Sequence, residues 1–249
     1  MSVSASALAA SAALRVASLD LCADEYLLLA GRPDQIVSVS KIGRDPRDSV
    51  LAGMARRYPA NDGSIESLLK KRPTLLISTG SGGAKSTRLL GARLGMQTLT
   101  LPYPASVDDV AKNFRKVATL LGNPDRANTF DRRLTSLKRP TSAREAIFVS
   151  GGGLSLSPSS LPGQWMALAG LRQRSLPGAR LTLEDLALRP PPVLLLSRYR
   201  PGQASIGQRW LSHPIVARAP SRKLIADGRR WTCAGPLMLD EIERLGRQR

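Results

Sequence analysis

The sequence predicts an α/β protein made of two Rossmann-like lobes joined by a single long helix, with a ligand cleft between the lobes. Three observations lead to this fold class. Short apolar runs alternate with helical segments in both halves, which is typical of parallel sheets covered by helices. The phrase IESLLKKRPTLLIST begins at Ile65, and a similar phrase, LEDLALRPPPVLLLS, begins 118 positions later at Leu183. Between the two halves lies one long amphipathic stretch.

The first lobe is predicted to span residues 15–105. Its strands are expected at RVASLD (15–20), QIVSVS (35–40), TLLIST (74–79) and MQTLTLP (96–102). Its helices are expected at ADEYLLLAG (23–31), GSIESLLKKRP (63–73) and TRLLGARLG (87–95). Gly31 and Gly95 end two of these helices, and Pro73 ends the third, whose N-cap is Ser64.

The connecting region is predicted to cover residues 106–140. Apolar residues recur at helical spacing from Val107 to Leu121. Ser106 and Asp109 form a capping-box pattern at its start, and a second helix follows Asn123 and runs through Leu137. Because a stiff helix joins the lobes instead of a Gly/Ser linker, we expect little relative motion between them.

The second lobe is predicted to span residues 141–249 and repeats the alternation. Its strands are expected at EAIFVS (145–150), PVLLLS (192–197) and KLIAD (223–227). Its helices are expected at GQWMALAGL (163–171), LTLEDLALR (181–189), QRWLSHPIV (208–216) and LMLDEIERLG (237–246). In each lobe, therefore, the repeated phrase is a glutamate-bearing helix that runs into a buried strand. Chance similarity between two leucine-rich segments is the alternative.

Composition narrows the function classes. The formal charge is +18, which favours nucleic acid, an anionic membrane or an anionic ligand as partner, although the basic residues are scattered and also fit a plain basic surface. Aromatic residues make up only 4%, so stacking platforms are not expected. The lone His213 is expected at a helix end, and Cys22 and Cys233 match no zinc motif. Metallohydrolase and Ser-His-Asp chemistry therefore have no support.

Residues 1–14, MSVSASALAASAAL, are small and uncharged. They are similar to the end of a secretory signal but have no basic region, so the start site is uncertain, and a disordered leader is the alternative. No stretch reaches the roughly 18–20 apolar residues that span a bilayer.

The order of these pieces resembles a known family. RVASLDLCADEYLLLAG, the repeated phrase, LLGARLGMQTLTLP, SVDDVAKNFRKVATLLG and WTCAGPLMLDEIERL together resemble the helical-backbone (class III) periplasmic substrate-binding proteins of ABC importers. This group carries vitamin B12, ferric siderophores and haem. The resemblance covers the chain from about Arg15 to its end. It implies a periplasmic, non-enzymatic capture protein that needs no cofactor and delivers a small-molecule ligand to a permease.

The resemblance also implies a role for the repeated glutamates. Family members dock through one glutamate on each lobe onto arginines of a two-fold permease dimer, which works with ATPase subunits. By position, these would be Glu66 and Glu184. A two-fold partner needs the same charge once per lobe, and carboxylate–arginine pairs are well oriented. Contact with the membrane would then be only through the permease. The alternative is two solvated glutamates at helix starts.

Ligand contacts are expected at the carboxyl ends of the parallel strands, where open α/β sheets bind their ligands. Trp231 and Tyr199 are candidates for stacking on a macrocycle or chelate, with ordinary packing as the alternative. Arginines can pair with phosphate, propionate or siderophore anions. The predicted ligand-binding residues are Cys22, Lys41, Ser81, Tyr103, Arg198, Tyr199, Arg200 and Trp231. Cys22 and Cys233 lie on facing segments, where a disulfide, two unpaired structural cysteines or a ligand contact are all possible.

Two other functions compete with ligand capture. One is a basic nucleic-acid-binding protein, suggested by the charge but opposed by the lack of a recognisable module. We therefore expect no nucleic acid partner. The other is a Rossmann-like transferase, but no G-x-G-x-x-G follows a predicted strand and no catalytic base or metal set is evident.

Overall fold

The computed structural model describes residues 14–80, 84–137, 142–200 and 205–248. Its strands are β1 (Val16–Ser18), β2 (Ile36–Ser40), β3 (Ala60–Asn61), β4 (Leu75–Thr79), β5 (Gln97–Leu101), β6 (Arg144–Val149), β7 (Leu171–Gln173), β8 (Val193–Arg198) and β9 (Arg222–Asp227). Its helices are α1 (Leu21–Ala30), α2 (Ala52–Ala55), α3 (Glu66–Leu69), α4 (Lys85–Arg93), α5 (Val107–Leu120), α6 (Pro124–Ser136), α7 (Leu161–Leu168), α8 (Leu183–Leu188), α9 (Ile206–Leu211), α10 (Pro214–Arg218), α11 (Gly228–Cys233) and α12 (Met238–Arg247). Across these ranges, none of the helices combines the length and apolarity needed to cross a lipid bilayer.

The first lobe contains a parallel sheet with strand order β3-β2-β1-β4-β5. Its strands are short and rich in β-branched or small residues, and every residue of the central strands β1 and β4 is buried. Asp20 connects the end of β1 to the end of β4. Its carboxylate accepts a hydrogen bond from the backbone N–H of Ala23 at 2.9 Å, which caps α1, and another from that of Thr79 at 2.8 Å.

The second lobe contains a four-stranded parallel sheet with strand order β7-β6-β8-β9. Strand β9 lies at an edge, where unpaired backbone groups invite association with other chains. Arg244 of α12 covers part of that edge, because its Nη2 donates a hydrogen bond to the Ile225 carbonyl at 2.7 Å.

The repeated phrase occupies equivalent places in the two sheets. In the first lobe α3 runs into β4, which pairs with β1; in the second, α8 runs into β8, which pairs with β6. The correspondence extends to the hydroxyls that precede each helix, although the N-cap of α3 is Ile65 and not the predicted Ser64. The Ser64 hydroxyl accepts a hydrogen bond from Ser67 N at 3.3 Å, and the Thr182 hydroxyl, 118 positions later, accepts one from Asp185 N at 3.0 Å. The prediction of two α/β lobes is confirmed.

The connecting helix α5 begins after Ser106, whose hydroxyl and the Asp109 carboxylate form the predicted capping box. Hydrogen bonding to Ser106 lowers the pKa of Asp109, so this cap is charged near neutral pH. A second helix, α6, follows and packs against α5 through the Phe114 and Phe130 rings, whose centroids are 4.8 Å apart. The domain limits at 14/15, 105/106 and 140/141 stay predictions. Residues 1–13 and 138–141, which lie at two of these limits, are outside the described ranges.

One buried apolar cluster crosses from lobe to lobe. It includes Tyr26 of α1 and Phe114 of α5 together with Trp165 of α7 and Met238 of α12. The lobes are therefore built on a common layer of packed helices, because α1 packs on α5, α5 on α7 and α7 on α12. This continuous base favours a fixed relative position of the two sheets.

The structure corrects several sequence expectations. The predicted helix 208–216 is two helices, α9 and α10, because Pro214 cannot continue the first one. His213 caps the second, as its Nδ1 accepts the Ile215 N–H at 3.2 Å, which confirms a helix-end role. The segment 230–233, expected as a loop, lies in α11. Neither β3 nor β7 is predicted from the sequence, because each is too short to show an alternating pattern of apolar and polar residues.

Candidate ligand-binding cleft

The carboxyl ends of the two sheets meet at one interface. Cys22, at the start of α1 after β1, is bonded by a disulfide to Cys233, at the end of α11 after β9, with their Cα atoms 5.5 Å apart. Asp48, in the segment after β2, accepts a hydrogen bond from Arg200, which follows β8. Pro46 O accepts a hydrogen bond from Arg229 Nη1 at 2.6 Å. These contacts place the interface where parallel α/β sheets bind ligands.

The disulfide decides between the alternatives that the sequence left open for the cysteines. Cys22 lies on the predicted side of the interface, and its sulfur is bonded to Cys233. Neither cysteine therefore offers a free thiol to a ligand. No cluster of three or more His, Cys, Asp or Glu that could hold a metal ion occurs among the described residues.

An aromatic cavity opens at the carboxyl ends of β6 and β8 in the second lobe. Its volume is about 240 Å³, and its lining includes Phe148, Ser150, Tyr199, Trp231 and Thr232. The Trp231 ring lies 4.8 Å from the Phe148 ring, centroid to centroid, at an angle of 40°. Trp231 is only 8% exposed, so it contributes to both the core and the cavity wall. Its indole Nε1 is buried without a hydrogen-bond partner in the described structure.

A larger, arginine-rich cavity of about 890 Å³ adjoins the aromatic one, and Gln208 lines both. Arg198 and Arg200, both predicted from the sequence, lie along its wall with Arg229 and Arg230. Arg229 is held by the carboxylate of Asp227, which its Nη2 reaches at 2.6 Å. The Arg198 side chain is exposed. Because Gln208 lines both cavities, one ligand can contact the aromatic and the arginine-rich side chains.

Basic residues of the first lobe line a cavity of about 460 Å³ beside this interface. Lys41 is exposed there and lies near Arg44, Arg47 and Arg56. The Asp45 carboxylate is hydrogen-bonded by Arg47, which lowers the pKa of Asp45 to about 2. Lys41 thus keeps the position predicted for it at the carboxyl end of β2.

Of the predicted ligand residues that the structure describes, Cys22 and Tyr103 line none of these cavities. Tyr103 follows β5 at the sheet edge, is 68% exposed and lines none of the three cavities described above. The reason is topological, since β5 is the outermost strand on its side. Ser81 lies outside the described residues. The ligand-binding set otherwise stays a prediction.

Glu66 and Glu184 are exposed in the first turns of α3 and α8. Each segment that leads into them contacts the carboxyl end of its sheet. Asn61 Nδ2 donates to the Ser18 carbonyl at 2.9 Å in the first lobe, and Leu181 N donates to the Gly153 carbonyl at 2.8 Å in the second. That both glutamates share one face of the molecule stays a prediction.

Comparison with protein families decides the class of this molecule. The model of the periplasmic binding protein family matches residues 16–150, which is more than half of the chain. The chain belongs to the periplasmic binding protein family. A search of the curated proteins finds no relative that matches this chain.

Solved structures of periplasmic binding proteins share the whole fold. The haem-binding protein HutB of Vibrio cholerae is 18% identical, with a TM-score of 0.73 and coverage of 94% of this chain and 98% of that one. The haem-binding protein BhuT, solved with two haems, is 20% identical, with a TM-score of 0.70 and coverage of 94% and 97%. The vitamin B12-binding protein BtuF of Vibrio cholerae is 18% identical, with a TM-score of 0.64 and coverage of 94% and 95%. These likenesses show the fold.

Sequence reasoning missed one buried polar centre of this periplasmic binding protein. Asp24 of α1 accepts hydrogen bonds from the Ser18 hydroxyl and from the Ser40 N–H and hydroxyl, at the carboxyl ends of β1 and β2. Burial raises the pKa of Asp24 to about 7, against the lowering effect of these bonds. The signal was present, because Asp24-Glu25 are charged residues within an otherwise apolar helix.

Glu25 lies next to Asp24 and faces the second lobe. Burial raises the pKa of Glu25 well above the usual range of a glutamate, although a backbone hydrogen bond at Leu237 and the charge of Arg230 oppose this. A Cβ on Gly235 would approach Glu25 Oε2 to 2.8 Å, so the second lobe packs directly on this carboxyl. Glu25 therefore belongs to the buried contact between the lobes.

Proposed function

We propose that this protein is the substrate-binding component of an ABC importer. It captures a metal-chelate or corrinoid-like ligand, such as cobalamin, haem or a ferric siderophore, and delivers it to a permease. Membership of the periplasmic binding protein family supports the capture role. The names of its structural neighbours, which bind haem or vitamin B12, support this ligand class.

The observation that carries the proposal is the pair of aromatic and arginine-rich cavities in the second lobe, which share Gln208 and lie beside the contacts of Arg200 and Arg229 with the first lobe. The Tyr199 and Trp231 side chains supply apolar surface for a flat ring, and Arg198 and Arg200 supply charge for its acidic substituents. The aromatic cavity alone, at about 240 Å³, is smaller than the roughly 300–1,000 Å³ of typical ligand sites. We therefore expect the ligand to extend into the arginine-rich cavity.

Export to the periplasm is part of the proposal. A disulfide forms and persists in oxidising compartments, and Cys22–Cys233 joins the two lobes. Delivery to a permease is the other part. Glu66 and Glu184 would each offer one carboxylate to a two-fold partner, on the side that carries the ligand. The protein itself would catalyse no reaction.

The test is direct titration of the purified protein with haemin, cyanocobalamin and a ferric hydroxamate siderophore. Absorbance and tryptophan fluorescence should give at least one dissociation constant below about 10 μM, or roughly −7 kcal/mol. Tyr199→Ala should weaken that binding at least about tenfold, because it removes aromatic contact from the wall. Arg93→Ala, an exposed change on α4, serves as the control. If all three ligands fail while duplex DNA binds with a steep salt dependence, the basic nucleic-acid-binding alternative replaces this function.

A further inference from the structure

A short turn of the first lobe, residues 45–48, reaches the second lobe at the edge of the cleft. We call it the bridging turn. The Asp48 carboxylate accepts a hydrogen bond from Arg200 Nη2, and the Pro46 carbonyl accepts one from Arg229 Nη1 at 2.6 Å. Both arginines also line the large cavity in which the proposed ligand would lie. Arg200 and Arg229 therefore both contact the first lobe and form part of the cavity wall.

Arg229 and Arg200 differ in how many of their hydrogen-bond donors have an acceptor. Arg229 is fixed inside its own lobe, since Asp227 accepts from its Nε at 2.9 Å and its Nη2 at 2.6 Å. For Arg200 the carboxylate partner found among the described residues is Asp48, which comes from the other lobe. Arg200 Nε is buried and has no hydrogen-bond partner there. Arg200 therefore has donor capacity left for an additional acceptor.

If the Asp48 carboxylate left Arg200, a second cation, Arg47, would lie near it. Its charge already acts on Arg47, whose pKa is raised chiefly by hydrogen bonding to Asp45 and in smaller part by Asp48. The Asp48 side chain is 19% exposed and that of Arg200 is 36% exposed, so solvent reaches part of both side chains. An incoming anion can therefore reach Arg200, and a carboxylate or phosphate that binds the guanidinium with two hydrogen bonds can compete with Asp48.

We propose that Asp48 is an internal competitor for the acidic groups of the ligand. In the unliganded protein Asp48 is bonded to Arg200; a carboxylate or phosphate of the ligand takes its place, so the bridging turn loses its contact with Arg200 and keeps the one between Pro46 and Arg229. The proposal rests on the function proposed above and specifies the ligand class, since only an acidic ligand recovers the charge interaction that is lost. Asp48 is then a specificity-determining residue that does not itself touch the ligand.

The test compares two forms of one ring. Haemin carries two carboxylates, and its dimethyl ester carries none. Asp48→Asn removes the competing charge at almost constant shape, so it should tighten haemin binding about fivefold or more while the affinity of the ester stays within about twofold. Arg200→Gln should weaken haemin strongly and the ester little. Asp34→Asn, a charge-matched change at a residue whose side chain is 71% exposed, should alter neither.

A second arm does not depend on a porphyrin ligand. Inorganic pyrophosphate, followed by intrinsic fluorescence, should bind Asp48→Asn more tightly than the unmodified protein and should be lost in Arg200→Gln. If haemin, cyanocobalamin and the siderophore all fail but pyrophosphate behaves in this way, the competitor role stands and the proposed ligand class is wrong. If Asp48→Asn strengthens neither haemin nor pyrophosphate, or strengthens haemin and its ester equally, the competitor role is overturned.

Discussion

Cys22 and Cys233 join the beginning of the first helix of one lobe to the last turn of α11 in the other. They are 211 positions apart in the chain, so the bond closes almost the entire described molecule into one loop. It lies beside Glu25, which is buried against the second lobe, and close to the Trp231 cavity wall. The lobes are therefore fixed to each other both by the helical base and across the interface itself.

The first prediction concerns this bond. Replacing both cysteines, Cys22→Ser with Cys233→Ser, should lower the free energy of unfolding by about 2–5 kcal/mol, because the unfolded chain regains the freedom of a very long loop. Urea unfolding followed by far-UV circular dichroism measures the change. Reductant should bring the unmodified protein close to the double variant and leave the variant unchanged. A midpoint that does not respond to reductant would show that the bond contributes nothing to stability.

Much of the fold could be predicted because its signals are local. The Ser106 cap and the apolar stripe of α5 could be predicted from neighbouring residues. The match between Glu66 and Glu184 could be predicted from the repeated phrase that contains them. The site could be predicted less well, because its decisive partners are distant in sequence. Nothing near Asp48 indicates Arg200, and nothing near Asp24 indicates that Ser40 would bond to it. The sequence predicts no helix at Trp231, because a six-residue helix beginning at Gly228 has no clear periodicity.

The second prediction concerns the buried carboxyl of Asp24. Because the pKa of Asp24 is raised from 3.8 to about 7 in the folded protein, the folded state binds more protons than the unfolded state between pH 4 and 7. Stability should therefore fall as pH rises through this window, with Asp24 contributing up to about 1.4 kcal/mol per pH unit. Asp24→Asn should make the stability profile flatter between pH 4 and 7. Unfolding free energies at half-unit pH steps provide the measurement.

Two further comparisons separate Asp24 from other carboxyls. Asp45 and Asp62 have pKa values lowered to about 2, so their stabilising effect is lost as pH falls, and its slope is opposite in sign to that of Asp24. Glu25 titrates with a raised pKa as well, so some slope should remain in Asp24→Asn and decrease further when Glu25→Gln is added. An unchanged slope in Asp24→Asn would mean that Asp24 is ionised throughout the folded range.

The third prediction uses two glycines of the first lobe. A Cβ on Gly43 would overlap the Asp24 carboxylate and lie 3.3 Å from Ser40 Oγ. Since three hydrogen bonds hold Asp24 in place, Gly43→Ala should destabilise the protein by about 1–3 kcal/mol. Gly53, in α2, has nothing within 4 Å of an added Cβ, so Gly53→Ala should be neutral or stabilise by about 0.5–1 kcal/mol. Equal denaturation midpoints for the two variants would contradict the packing described around Asp24.

The last prediction concerns docking through Glu66 and Glu184. Both are exposed in the first turns of their helices, and each helix is preceded by a hydroxyl that accepts a backbone N–H. A carboxylate in the first turn stabilises its helix by only about 0.3–1 kcal/mol, so changing it should leave the fold intact. Charge reversal in Glu66→Arg with Glu184→Arg places like charges against the arginines expected on the permease, so transport should collapse while ligand affinity and melting temperature stay near their original values. The measurement is ATP-driven uptake in vesicles that contain the cognate permease. The control is the double variant Asp34→Arg with Asp125→Arg, which makes the same charge change at an exposed position of the first lobe and at one of α6. Uptake that survives the glutamate reversals, or that falls equally in the control, would leave the two glutamates as helix-start charges without a docking role.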